Sequence, residues 1–314
     1  MTHPLRIISL IPSATEIVAA LGLADCLVGR SHECDYPPSV ASLPICTEPK
    51  FDPKGTSAEI HDRVTDLLQS ALSVYRVKTE VLEKLQPTHI LTQAQCEVCA
   101  VSLADVEKAA DRLTQSQPHI ISLQPNVLAD LWTDIDRVAA AFGVAGQPLI
   151  DALQQRVATC AQAAAQMSDR PTVACIEWIE PLMAAGNWIP ELVALAGGRS
   201  LFGEVGKHSP WLQWEALVAA NPEVIILMPC GFDLARTAEE ARSLLPHHAA
   251  WTNLTAVKTG QVYVTDGNQY FNRPGTRLVD SLEILAEILH PSLPSVYEGS
   301  GWQKLSASEA KVPA

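Results

Sequence analysis

The chain has 314 residues, 47% of them hydrophobic and 18% charged, and its formal net charge at pH 7 is −13. That length holds two domains of ordinary size with well-formed cores. The acidic balance excludes nucleic acid or an anionic membrane surface as the main partner, because both require a basic face.

Met1-Thr-His-Pro leads straight into the apolar run Leu5–Leu10. This is too short for a secretory leader, and no later run approaches the roughly 18–20 apolar residues of a spanning helix. The expected location is therefore the cytoplasm, or the periplasm if the start has been assigned too late. In a reducing compartment, Cys-x-x-Cys spacing points to metal or redox chemistry before it points to a disulfide.

Arg6–Ile11 reads as a strand, and Ser13-Ala-Thr-Glu16 as a capping box opening a helix that Gly22 ends. Leu27–Gly29 follows as a second strand and Leu43–Ile45 as another. The opening is thus β-α-β with short connections, the pattern of a parallel sheet. Ile60, Val64, Leu67, Leu68 and Leu72 give a helical period over Ser57–Tyr75. Helix Thr79–Leu85, strand Pro87–Thr92, helix Leu103–Leu113, strand His119–Leu123 and helix Asn126–Phe142 complete the first half.

Leu149–Met167 lacks Gly and Pro and reads as one long helix. At 1.5 Å per residue it reaches roughly 28 Å, enough to bridge two lobes, although an ordinary helix of one domain has the same pattern. A second β-α series follows, with strands at Thr172–Glu177, Glu223–Met228 and Gln261–Thr265. Its helices are expected at Pro190–Ala196, Trp214–Ala220, Ala238–Leu245 and Thr276–Leu289. No sequence repeat between the halves is apparent. The segment after Pro291 has little hydrophobic period and is expected to pack poorly. The expected division is an N-terminal α/β lobe (1–145), a connector helix (146–169), a C-terminal α/β lobe (170–290) and a tail (291–314).

Four of the eight cysteines fall in three loops, each after an expected strand: Cys34, Cys46, and the pair Cys96 and Cys99. Loops at strand carboxyl ends line the ligand crevice of an open α/β sheet. His32, Cys34, Cys46, Cys96 and Cys99 are accordingly candidate ligands for a metal such as zinc or iron; small half-buried loop residues are the alternative. His32, Glu33, Cys34 and Asp35 precede a Pro pair that stiffens the turn, which suits ligand contact as well as it suits a solvated turn. Trp188 lies between a Gly and a helix start and is expected to be exposed to a cleft, whereas Trp214, heading a helix, suits core packing. Arg273 and Arg277 can grip a carboxylate or phosphate, or form surface salt bridges. No dinucleotide, Walker, Gly-x-Ser-x-Gly or zincin motif is present, and no nucleophile is paired with a base.

Several segments, in order, resemble the cobalamin and ferric-siderophore substrate-binding proteins of ABC importers. They are Arg6-Ile-Ile-Ser-Leu-Ile-Pro-Ser-Ala-Thr-Glu16, Asp35-Tyr-Pro-Pro38, Leu85-Gln-Pro-Thr-His-Ile-Leu91, Gly186–Gly198, Trp214–Ile226 and Tyr270–Gly275. The resemblance covers about residues 5–290. It implies an α/β fold of two α/β lobes joined by a single long connector helix, with the ligand in a cleft between the lobes and no covalent chemistry. It implies a metal-containing small molecule as ligand, cobalamin or another corrinoid, and an ABC permease as partner of a monomeric protein. It places the Cys34, Cys46 and Cys96/Cys99 loops around the cleft with Trp188, Tyr270 and Arg273. The stacking aromatic of cobalamin binders falls near Glu48 here, and the permease-docking acids fall at Glu80 and Glu215. Ser57–Val77 stands out as an inserted helix. The competing expectation is a cytoplasmic metal-binding or thiol-dependent protein that reuses the fold.

Overall fold

The protein is described by a computed structural model covering residues 4–70, 74–94 and 101–305. The chain divides into two units, and the division falls between Asp151 and Ala152; the short segments Thr56–Ala58 and Asn126–Leu128 group with the second unit.

The first unit opens with β1 (Ile7–Ser9), α1 (Pro12–Ala20) and β2 (Leu27–Arg30). It continues through β3 (Thr47–Pro49), α2 (Ser57–Ser70), β4 (Tyr75–Val77), α3 (Thr79–Leu85) and β5 (His89–Gln93). Then come α4 (Leu103–Ala110), β6 (His119–Leu123), α5 (Leu128–Phe142) and the start of α6 (Gln147–Ala165). Four strands form a parallel sheet in the order β2-β1-β5-β6, and β3 and β4 pair as a separate antiparallel ribbon. Ile8, Leu10, Leu82, Ile90 and Val106 are fully or almost fully buried in one core cluster. Each such aliphatic side chain contributes about 1.5–3 kcal/mol on burial.

Local rules give way to packing at several points. The capping box expected at Ser13 does not form: α1 starts at Pro12, with Ile11 in the cap position and no side-chain cap bond. Proline supplies the helical φ at the first position, and Ser13 and Glu16 are buried instead. The strand expected at Leu43–Ile45 is reduced to a single bridge, Ile45 to Arg30, and the strand proper begins at Thr47. Helix α6 starts two residues before Leu149, because Pro148 in the first turn has no helical N–H to lose.

Asp134 on α5 is 3% exposed, with Oδ1 3.6 Å from Arg137 and no hydrogen-bond partner for Oδ2 among the described residues. Burial raises its carboxyl from 3.8 to about 6, against the pull of Arg137. The folded state therefore binds this proton more tightly than the unfolded chain. The stabilising effect is complete below about pH 3.8 and is lost as pH rises through about 6. Asp134→Asn is thus expected to raise unfolding free energy by about 1–3 kcal/mol at pH 8 and by almost nothing at pH 4. Equal gains at both pH values in urea titrations would contradict this.

The second unit contains the rest of α6, then β7 (Thr172–Trp178), β8 (Met183–Ala184), α7 (Ile189–Leu195) and β9 (Arg199–Ser200). It continues with α8 (Trp214–Ala220), β10 (Val224–Leu227), α9 (Leu234–Leu244), α10 (Thr255–Lys258), β11 (Val262–Thr265), α11 (Leu278–Leu289) and β12 (Trp302–Lys304). Its sheet runs β12-β11-β10-β7-β8, with β9 on β7. The helix expected from Ala238 begins a turn earlier, at Leu234, because Asp233 caps it by accepting from the Arg236 N–H at 2.8 Å.

The segment after Pro291 does pack. Trp302–Lys304 adds an antiparallel edge strand to β11, and Trp302 and Leu305 are buried. The buried Glu287 carboxylate accepts from Val296 N–H at 2.7 Å, from Tyr297 N–H at 3.1 Å and from Trp302 Nε1 at 2.8 Å. This polar clasp carries no hydrophobic period, which is why the pattern of apolar residues missed it.

Helices α3 and α8 share more than length. Thr79–Ile90 and Trp214–Ile225 carry Glu, Leu, Pro and Ile at matching places. In both, the Glu is exposed in the first turn and the Leu is buried. A left-handed cap residue then donates its N–H to that Leu carbonyl at 3.0 Å, through Gln86 or Asn221. A local repeat thus exists where none was expected.

Candidate ligand-binding site

The strands of the first unit's sheet run parallel, so their carboxyl ends lie along one edge. The chain leaving β2 turns there. Arg30 holds this turn: its guanidinium donates to the carbonyls of Ser31 (3.0 Å), Cys34 (2.9 Å) and Ala41 (2.9 Å). With the His32 carbonyl at 3.4 Å, four carbonyls gathered by one planar fork make the loop rigid without regular structure.

Within that loop His32 is fixed from three sides. Its backbone N–H donates to Thr47 Oγ1 at 3.1 Å, and its Nδ1 lies 2.8 Å from the same oxygen. The Tyr75 ring is tilted against the imidazole with centroids 5.2 Å apart, and Phe51 sits 6.3 Å beyond Tyr75. Tyr75 donates its hydroxyl to Glu33 Oε1 at 3.1 Å. Burial, helped by the cations Lys78 and Arg30, lowers the His32 imidazole to about 4, so it is neutral at pH 7. The sequence pointed to His32 and Glu33. It missed Thr47 and Tyr75, which arrive from the ribbon, and Phe51 just beyond β3; none carries a local motif.

The thiols lie elsewhere. Cys34 is fully buried, its sulfur accepting from Thr15 Oγ1 at 3.0 Å near the end of β1. Cys46 is fully buried in the apolar core beside Gly29, where an added Cβ would come within 2.6 Å of its sulfur. Burial pushes its thiol up to about 12, so a thiolate is disfavoured. Among the described residues, no group of three or more His, Cys, Asp or Glu is placed to hold a metal ion. Cys96 and Cys99 lie outside the described residues.

Glu48 does not stand alone on its strand. It pairs with Arg76 and, at 3.0 Å, with Lys78 across the ribbon. Hydrogen bonds from Lys78 and then Arg76 hold its carboxyl below the ordinary range. These three, with Val77 and Glu80, line a recess of about 450 Å³.

In the second unit the carboxyl ends of β7, β10 and β11 lie together. Trp188 is not exposed as expected: it is 5% exposed, and its Nε1 donates to the Phe271 carbonyl at 2.9 Å. It therefore positions the loop that carries Tyr270 and Arg273. Tyr270 is half-buried, with the Arg277 guanidinium 5.6 Å above its ring. Arg273 and Arg277 are buried rather than on the surface; Arg273 donates to Asn268 Oδ1 at 2.8 Å and Arg277 to Gln269 Oε1 at 3.2 Å. The sequence missed a stack beside them, where the Arg236 guanidinium lies 3.6 Å above the Phe232 ring and Trp178 meets that ring edge-on at 5.4 Å. Phe232 and Arg236 lie four residues apart around the start of α9, but Trp178 comes from β7, so no local motif signals all three.

Residues 7–269 match the family model described as periplasmic binding protein. A vitamin B12-binding protein of Vibrio cholerae is 25% identical over 290 residues, an alignment covering 88% of this chain and 86% of that protein. Among solved structures, a periplasmic heme-binding protein from Pseudomonas aeruginosa superposes with a TM-score of 0.72 at 18% identity, covering 97% of this chain and 99% of its own. The periplasmic vitamin B12-binding protein of Vibrio cholerae gives 0.63 at 23% identity, covering 90% and 96%. The family's periplasmic character gives no support to a cytoplasmic location, and no helix of the described residues is long and apolar enough to cross a membrane.

Proposed function

This chain belongs to the periplasmic binding protein family, and on that premise we propose that it delivers a corrinoid, cobalamin or a close analogue, to an ABC permease. Substrate-binding proteins of this importer type are non-enzymatic components that hold a small molecule and hand it on. One observation carries the corrinoid reading: a relative aligned over 290 residues is a vitamin B12-binding protein. His32 and Glu33 in the first unit, and Tyr270 and Arg273 in the second, are the proposed contacts, with Trp188 holding the latter loop in place. Glu48, tied to Arg76 and Lys78, offers a charged contact where cobalamin binders stack an aromatic.

Docking is proposed through Glu80 and Glu215. The support is their equivalence: each is the exposed first-turn glutamate of a matching helix, α3 or α8. A pair of like acids on twin helices suits a partner that presents the same basic patch twice.

Heme is the competing ligand, because one fold neighbour is a heme-binding protein. The two are separated by expressing the protein in cells supplied with both and identifying what co-purifies by visible spectrum and mass. A corrinoid at near one equivalent is expected; heme at one equivalent would overturn the reading.

A further inference from the structure

Resting on Tyr270 as a ligand contact, we propose that the C-terminal segment is part of the binding apparatus, with Tyr297 as the positioning residue of the Tyr270 ring. The inference comes from what stands against that ring. The Tyr297 ring meets it edge-on, with centroids 6.0 Å apart and planes at 78°. Gly301 approaches both: a Cβ there would come within 3.3 Å of Tyr270 Cε2 and 3.2 Å of Tyr297 Cβ. The Gly301 carbonyl accepts from Asp266 N–H at 2.9 Å, four residues before Tyr270. All of these residues belong to the second unit.

The Tyr297 ring is itself tethered. Its hydroxyl donates to Glu283 Oε2 on α11 at 2.9 Å. Arg156 on α6 grips the same carboxylate, with Nε 3.0 Å from Oε1 and Nη2 2.6 Å from Oε2, and reaches Asp280 at 2.5 Å. Burial and these acids push the phenol up, so it stays a donor. Two helices thus fix the ring through its oxygen, while Glu287 fixes its backbone by accepting from the Tyr297 N–H. The work is divided: Trp188 holds the backbone of the Tyr270 loop through the Phe271 carbonyl, and the C-terminal segment holds the Tyr270 ring. A ring held in one orientation before the ligand arrives loses less freedom on binding, which raises affinity without a new ligand contact.

The test is a pair of double-mutant cycles, read by calorimetric titration of the purified full chain with cyanocobalamin. Tyr297→Ala removes the abutting ring, and Gly301→Ala presses a methyl group against Tyr270. Each is expected to weaken binding roughly three- to tenfold in the wild-type background. Placed on Tyr270→Ala, each is expected to change affinity by less than twofold, because no ring is left to position. A merely structural role for the segment predicts the same loss in both backgrounds, and that result would overturn the proposal. So would affinities of both single variants within twofold of wild type while Tyr270→Ala binds weakly; the contact reading of Tyr270 would then stand. If Tyr270→Ala binds as wild type does, or wild type does not bind cyanocobalamin, the contact reading fails and the positioning role with it. Should Tyr297→Ala not fold, the Gly301→Ala cycle decides alone.

Discussion

Glu287→Ala is expected to lower the unfolding free energy by about 3 kcal/mol and to free the segment after Pro291. The carboxylate sits on α11 and satisfies two backbone N–H groups and the Trp302 indole N–H. Each bond to a charged acceptor is worth about 1.5–3 kcal/mol, but the released donors partly recover water, so the losses do not add fully. Trp302 then loses its anchor and β12 its register on β11, where Thr265 faces Trp302 and Tyr263 faces Lys304. Glu287→Gln keeps an acceptor oxygen and is expected to lose less than half as much. Urea denaturation measures the energy, and limited proteolysis between residues 291 and 305 measures the release. An alanine variant within about 0.5 kcal/mol of wild type, the scale of an ordinary surface change, would show that the clasp carries no weight.

The second large effect concerns delivery. Reversing both acids, Glu80→Lys with Glu215→Lys, is expected to reduce uptake by roughly 100-fold in cells carrying the cognate permease, with each single reversal near tenfold. Ligand affinity of the purified variants is expected to stay within twofold of wild type. The main alternative role of these residues is favourable interaction with the helix N-terminus, worth about 0.3–1 kcal/mol each. That alternative predicts a small stability loss and normal uptake. Near-normal uptake by the double variant would remove the docking assignment.

Much of the architecture was legible because its signals are local. Helices α3 and α8 occur where expected, at Thr79–Leu85 and Trp214–Ala220, since proline two residues after each end marks the stop. The β-α alternation and the importer-type family were readable for the same reason. The site was less legible. His32 was visible as a polar residue in a stiff loop, but its partners Thr47 and Tyr75 come from the ribbon, and only folding brings them together. Cys46 follows a short apolar run like the other thiols, yet neighbouring residues on an extended chain face opposite ways. Thr47 thus meets His32 while Cys46 enters the core. Trp188 looked exposed because of the glycine before it, but tertiary packing gave its indole N–H a carbonyl. The repeat joining α3 and α8 is too sparse to notice until both helices show the same exposed acid, buried leucine and left-handed cap.

The most direct test of the corrinoid assignment is calorimetric titration of the purified full chain with cyanocobalamin. One-to-one binding with a dissociation constant of about 1 μM or tighter, roughly −8 kcal/mol, is the predicted result. No heat and no spectral change at 100 μM ligand, a concentration about 100 times that constant, would contradict it.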